Sequence, residues 1–266
     1  MGTDYGDDPS QFGELLVPDG DPHGVVVVIH GGFWRAAYDL SLGTPLAQDL
    51  TARRWVTWNL EYRRVGNGGG VPATLDDVHA GIDHLARLAD DGRLPAASLD
   101  RVVVLGHSAG GHLAFSVAIE AVAQGVDLGG IVGLSPWLDF DNTARRRHRN
   151  AWRDDFIPTY RLDRVARLVT GLSALDPEHS PVNRSLAGLP PALLICGFDE
   201  VLRHDAELMA ERLDAAGVPV ALHLWKGQVH AFPVLGDLLP ESSAALDQVA
   251  GFVEQALGVR RLRAVS

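Results

Sequence analysis

Six short apolar runs recur along this chain: GVVVVIH (24–30), WVTWNLEY (55–62), RVVVLG (101–106), GGIVGLS (129–135), PALLICG (191–197) and VALHLW (220–225). Each is too short for a helix and is apolar at consecutive positions. A strand of that kind has both faces buried, as in a parallel sheet covered by helices on both sides. Helical patterns lie between the runs. In 75–90, Leu75, Val78, Ile82, Leu85 and Ala89 share one face, and Thr74 with Asp77 predicts a capping box. Residues 109–124 are apolar nearly all round, 205–217 end at Gly217 with Pro219 beyond, and 242–257 close the pattern. Strand alternating with helix predicts an open α/β fold. Length permits one or two domains, and with no linker-like stretch or internal repeat we read 1–266 as one. One interval breaks the rhythm. Residues 136–188 separate two strands by far more than a crossover needs, and hold an amphipathic segment at 162–172. An insertion of that length predicts a small cap or lid.

The run RVVVLG leads into Gly106-His107-Ser108-Ala109-Gly110, which matches the G-x-S-x-G nucleophile elbow. A nucleophilic serine needs a strained turn that exposes its hydroxyl, with small residues where strand and helix approach. The alternative is an ordinary strand-to-helix turn. The context favours the nucleophile, because the motif follows a β-branched strand and opens a helix whose N–H groups face the site. Upstream, GVVVVIH runs into His30-Gly31-Gly32-Phe33-Trp34. Acyl transfer needs several N–H donors aimed at the developing oxyanion, and a Gly-rich loop can bring them close. Gly32, Phe33 and Ala109 are the expected donors.

A base and an acid should follow in the order Ser, Asp/Glu, His. Asp199 stands just past the PALLICG strand, and His230 in the loop after VALHLW. In open α/β sheets ligands bind at the carboxyl ends of strands, so Ser108, Asp199 and His230 should converge on one edge. Asp205 competes as acid but lies at a helix start. His204 and His223 compete as base, the first beside the acid loop and the second within a strand. His107 and His112 flank the elbow and are expected to shape it. Phe33, Trp34 and Trp137 could line an apolar acyl or alcohol pocket, or simply pack the core.

Several function classes recede. A net charge of -11 argues against a general nucleic-acid binder, and the basic runs at 144–150 and 260–266 read as solvated surface. No apolar stretch approaches a membrane span, and the acidic N-terminus does not look like a signal peptide, so no membrane contact and a cytoplasmic location are expected. Cys196, the single cysteine, permits no internal disulfide and reads as a core thiol. No metal-ligand spacing or phosphate-binding motif is present, so neither metal nor cofactor is expected. A small-molecule substrate is the expected partner. Oligomeric state is open; an exposed edge or the last helix could pair two copies as a homodimer.

Taken in order, HGGFW, EYRRVG, PATLDDVHAGIDHL, GHSAGGHLA, LSPWLDF, SPVNRSLAGLPPALLICGFDEVLRHD and VHAF resemble the α/β-hydrolase superfamily over nearly the whole chain. LSPWLDF and GFDEVLRHDAE are similar to carboxylesterases of the hormone-sensitive-lipase-like group. HGGFW, with Phe33 where those enzymes usually carry a third glycine, is similar to kynurenine-formamidase-like hydrolases. The resemblance implies an α/β-hydrolase fold, a mostly parallel sheet flanked by helices, and a serine carboxylesterase acting on small to medium esters through an acyl-enzyme. An arylformamidase is the alternative, and a non-catalytic binder on the same fold a third.

Overall fold

A computed structural model describes residues 2–171 and 176–258. The β-branched run after Gly24 forms β3 (Val25–Ile29), with every residue buried. Val25, Val27 and Ile29 enter one core while Val26 and Val28 enter another, as period-two alternation requires of a strand covered on both faces. The same logic yields β4 (Val56–Leu60), β5 (Val102–His107), β6 (Gly130–Leu134) and β7 (Ala192–Gly197), all fully buried, and β8 (Val220–Trp225) at one edge. Two short N-terminal strands, β1 (Gly2–Asp4) and β2 (Phe12–Leu16), add an antiparallel edge. The sheet order is β1-β2-β4-β3-β5-β6-β7-β8, parallel from β4 onward.

Two helices pack on one face, α1 (Thr44–Ala52) and α7 (Pro240–Ala256). Three pack on the other: α2 (Ala73–Asp90), α3 (Ala109–Ala123) and α6 (Arg203–Ala215). The chain runs from β3 to β4 on one side, then crosses back so that β5 lies on the other side of β3. That reversal opens a crevice beyond the carboxyl ends of β3 and β5. His30-Gly31-Gly32 and Ser108 emerge there, since Ile29 pairs with Gly106.

The interval between β6 and β7 holds α4 (Thr143–Arg147), α5 (Thr159–Thr170) and short 3-10 turns. Helix α5 stops at Gly171, whose left-handed backbone suits a helix end, so the expected helix over 162–172 begins earlier; its last residue lies outside the described residues. The basic tail at 260–266 also lies outside them. The capping box on α2 does not form. Thr74 sits inside the first turn and donates to the Arg63 carbonyl at 2.7 Å, and Asp77 pairs with Arg63 at 2.6 Å. A tertiary partner for the carboxylate displaced the local one. Among the described residues no helix is long and apolar enough to cross a membrane.

Candidate active site

Ser108 occupies the turn between β5 and α3 with φ 54° and ψ −118°, a strained conformation for a residue bearing a Cβ. Two glycines permit it. A Cβ on Gly106 would lie 2.0 Å from the Gly110 carbonyl oxygen, and one on Gly110 would lie 2.0 Å from that of Ile29. Strand β5, the start of α3 and the end of β3 therefore meet backbone to backbone. The Ser108 N–H donates to the Leu134 carbonyl at 2.9 Å and its carbonyl accepts from Trp137 N–H at 3.0 Å, fixing the turn against β6. Among the described residues no hydrogen bond engages the Ser108 hydroxyl.

The loop after β3 is held from two sides. Gly31 N–H donates to His107 Nε2 at 2.9 Å. Burial pushes the His107 pKa down to about 3, so its ring is neutral and Nε2 accepts. On the other side lies Glu61 of the EYRRVG stretch, buried and ringed by His30 Nε2 (3.1 Å), Arg64 (2.7 Å) and the N–H groups of Leu40 and Tyr62. Burial alone would raise the Glu61 pKa; the hydrogen bond and charge of His30, with Tyr62 N–H and Arg64, bring it below the usual range. The Arg35–Val65 bridge ties the two stretches together. Gly32, Phe33 and Trp34 all have positive φ. Neither Gly32 nor Phe33 N–H donates to a described residue, and Ala109 N–H opens α3 beside Ser108. These are the three donors expected of an oxyanion hole.

His230 follows β8, and its Nδ1 lies 2.8 Å from Glu200 Oε2 with the carboxylate buried. The partner is Glu200 and not Asp199, which corrects the expected acid. Glu200 Oε1 also accepts from Gly197 N–H at 2.9 Å. Asp199 turns outward, 48% exposed, and meets Arg153 at 3.4 Å. Past the end of β7 the backbone turns so that successive side chains diverge, and the second carboxylate of the Asp-Glu pair faces inward. The adjacent glutamate was the signal available in the sequence, since the elbow pattern accepts either acid. Gly197 lets the histidine loop close in, because a Cβ there would lie 2.4 Å from the Gln228 carbonyl oxygen. Ala231 N–H then donates to Ser135 Oγ at 2.9 Å, seating the loop on the end of β6, next to the Leu134 that holds Ser108. The insertion braces the acid loop: Asn150 donates to the carbonyls of Phe198 and Glu200, both at 2.9 Å, and Asp154 accepts from Val201 N–H.

The competing residues have other partners. Asp205 is fully buried and binds Arg145 at 2.6 Å and the N–H groups of Leu138 and Asp139, pinning the LSPWLDF segment. His223 meets Gln248 of α7, and His204 packs against His148. Cys196 is buried, and burial raises its thiol pKa. Trp34 and Trp137 are fully buried in one aromatic cluster with His112 and Phe140, with ring centroids 5.3–5.7 Å apart around Trp34 and Trp137. The pocket role expected of them is corrected to packing beneath the site. Phe33 remains half-buried, edge-on to Trp137 at 6.0 Å. Tyr38, exposed and packed where a Gly32 Cβ would go, is a rim residue that sequence reasoning missed.

A model of the alpha/beta hydrolase fold matches residues 26–234. The chain belongs to that family. It is 34% identical over 206 residues to esterase LipU of Mycobacterium tuberculosis, covering 75% of this chain and 67% of that one. It is 33% identical to the carboxylesterase/phospholipase LipF of the same organism, covering 68% of this chain and 49% of LipF, so it spans about half of LipF's length. An esterase of the bacterial hormone-sensitive-lipase family superposes with a TM-score of 0.80 at 27% identity, over 92% of this chain and 81% of that one. The chain thus resembles the hormone-sensitive-lipase-like esterases.

Proposed function

We propose that this α/β hydrolase is a carboxylic ester hydrolase that works through Ser108, His230 and Glu200. The observation that carries the reading is the 2.8 Å contact of His230 Nδ1 with the buried Glu200 carboxylate, at the end of the sheet where Ser108 stands on its strained turn. The Nδ1 proton donates to the carboxylate, which leaves Nε2 free as a base. Nε2 takes the Ser108 proton as Oγ attacks the ester carbonyl carbon. The oxyanion is met by the N–H groups of Gly32, Phe33 and Ala109. The tetrahedral intermediate collapses, the alkoxide leaves with the proton from His230, and an acyl-serine remains. Water, deprotonated by the same histidine, releases the acid and restores Ser108. The esterase names of the relatives support an ester over a formamide. Small to medium acyl groups are the proposed substrates, with half-buried Phe33 beside the loop that supplies the donors.

The test is hydrolysis of p-nitrophenyl esters from acetyl to octanoyl beside N-formylkynurenine, with Ser108→Ala as control. Ester turnover abolished by the substitution supports the reading. Turnover of the formamide alone overturns it.

A further inference from the structure

The chain carries a net charge of -11, yet the segment around α5 is basic and apolar at once. On a helical wheel Arg167, Tyr160, Arg164, Leu168 and Arg161 fall within about one third of the circumference. All five are exposed, Tyr160 at 70% and Leu168 at 54%. The opposite face, with Leu162, Ala166 and Val169, is buried. No carboxylate interrupts the outward arc. The ion pairs of this segment engage Arg146 with Asp163 and Arg153 with Asp199, and none is formed by Arg161, Arg164 or Arg167 among the described residues. Just before α5 stand Trp152, 94% exposed, and Phe156, 63% exposed. Phe156 lines a cleft of about 190 Å³ that also reaches Glu200 and His230. Of these exposed side chains, Phe156 is the one that lines the cleft at His230, while Arg167 lines a separate cleft with Asp163 and Asp176.

We infer that this face docks on an anionic phospholipid surface, with Trp152, Tyr160 and Leu168 entering the headgroup region and Arg161, Arg164 and Arg167 meeting lipid phosphates. Large apolar side chains beside cations, on a helix arc that carries no carboxylate of its own, form the pattern that binds a charged interface. Aromatic rings favour the headgroup level and arginine stems lie along apolar surface with the charged ends in water. A second copy of this acidic chain offers less charge complementarity than the lipid.

The test measures binding of the full chain to vesicles of phosphatidylcholine and of phosphatidylcholine mixed with phosphatidylglycerol. Sedimentation and tryptophan fluorescence are the readouts. Trp34, Trp55, Trp58 and Trp137 are fully buried and Trp225 is half-buried, so a blue shift that Trp152→Phe removes reports Trp152. Binding should need the anionic lipid and weaken with salt. Replacing Arg161, Arg164 and Arg167 together by Gln should weaken it about 100-fold, with p-nitrophenyl acetate hydrolysis unchanged. Trp152→Phe should keep binding and lose the blue shift. Absence of binding to the anionic vesicles at low salt overturns the inference, as does equal binding to both vesicle types. Tighter binding to duplex DNA than to the vesicles would assign the basic face elsewhere and also overturn it. So would a dimer that Trp152→Ser dissociates.

Discussion

Replacing Glu200 by Gln should disable this site while replacing Asp199 by Asn should barely touch it. The Glu200 carboxylate accepts two hydrogen bonds, from Gly197 N–H at Oε1 and from His230 Nδ1–H at Oε2. A glutamine offers one acceptor oxygen and one NH2. If its oxygen stays on Gly197, the NH2 faces Nδ1, which must then give up its proton. The ring's proton moves to Nε2, and the base toward Ser108 is gone. If the oxygen turns to His230, the Gly197 N–H is left against a donor in a buried place, at about 1–3 kcal/mol. The negative charge that steadies the imidazolium is lost either way. The expected fall in kcat/KM is about 10³–10⁴-fold, or roughly 4–5.5 kcal/mol of transition-state stabilisation. Asp199 is half exposed and, among the described residues, its ion pair is with Arg153 at 3.4 Å, worth about 0–1 kcal/mol after solvent screening. Asp199→Asn should therefore stay within about threefold of the parent. The assay is kcat/KM for p-nitrophenyl butyrate, with thermal unfolding to show that each variant is folded. A large loss in Asp199→Asn with near-parental activity in Glu200→Gln would refute the reasoning.

Other consequences follow from the same contacts. Arg145 and Asp205 are both fully buried, so Arg145→Met should cost about 3–5 kcal/mol of stability, read by urea denaturation, and Asp205→Leu added to it should recover part of the loss. His107→Phe leaves the Gly31 N–H without its acceptor; loosening of the Gly32 and Phe33 donors should lower kcat about 10- to 100-fold with KM little changed. Gly110→Ala should fail to yield folded protein, because its Cβ would lie 2.0 Å from the Ile29 carbonyl oxygen. For pH, burial holds His107 near pKa 3 and His112 near pKa 4. The unfolded chain protonates both near 6.5, so neither affects stability above that pH. Below it the unfolded state binds more protons, and stability falls by about 1.4 kcal/mol per pH unit for each, down to the folded pKa. The pair thus costs about 4 kcal/mol at pH 5. Thermal unfolding between pH 7 and 5 should show that slope, and His112→Asn should roughly halve it.

The sheet, the elbow and the glycine-rich loop after β3 were legible in the sequence because each is written in adjacent residues. Consecutive β-branched positions suit burial on both faces, and GVVVVIH and RVVVLG form strands whose alternate side chains enter the two cores. The glycines around Ser108 and in HGG mark places where backbones touch, a local steric demand that the structure realises at Gly106, Gly110 and Gly31. The places of Glu200 and His230 just past the ends of β7 and β8 brought those two loops together.

Which side chains face one another was decided only by the tertiary structure. Asp199 and Glu200 are neighbours with the same chemistry, and the turn after β7 points one at Arg153 and the other at His230. Asp77 left the helix cap it could have formed for Arg63, and Trp34 and Trp137 were drawn beneath the site by their mutual packing. The arc of arginine and aromatic side chains on α5 became meaningful once the opposite face was seen to be buried. Local sequence specifies backbone conformation through sterics and periodicity; the orientation of one polar side chain rather than its neighbour depends on partners 30 to 60 positions away in the chain, as with His230 for Glu200 and Arg145 for Asp205.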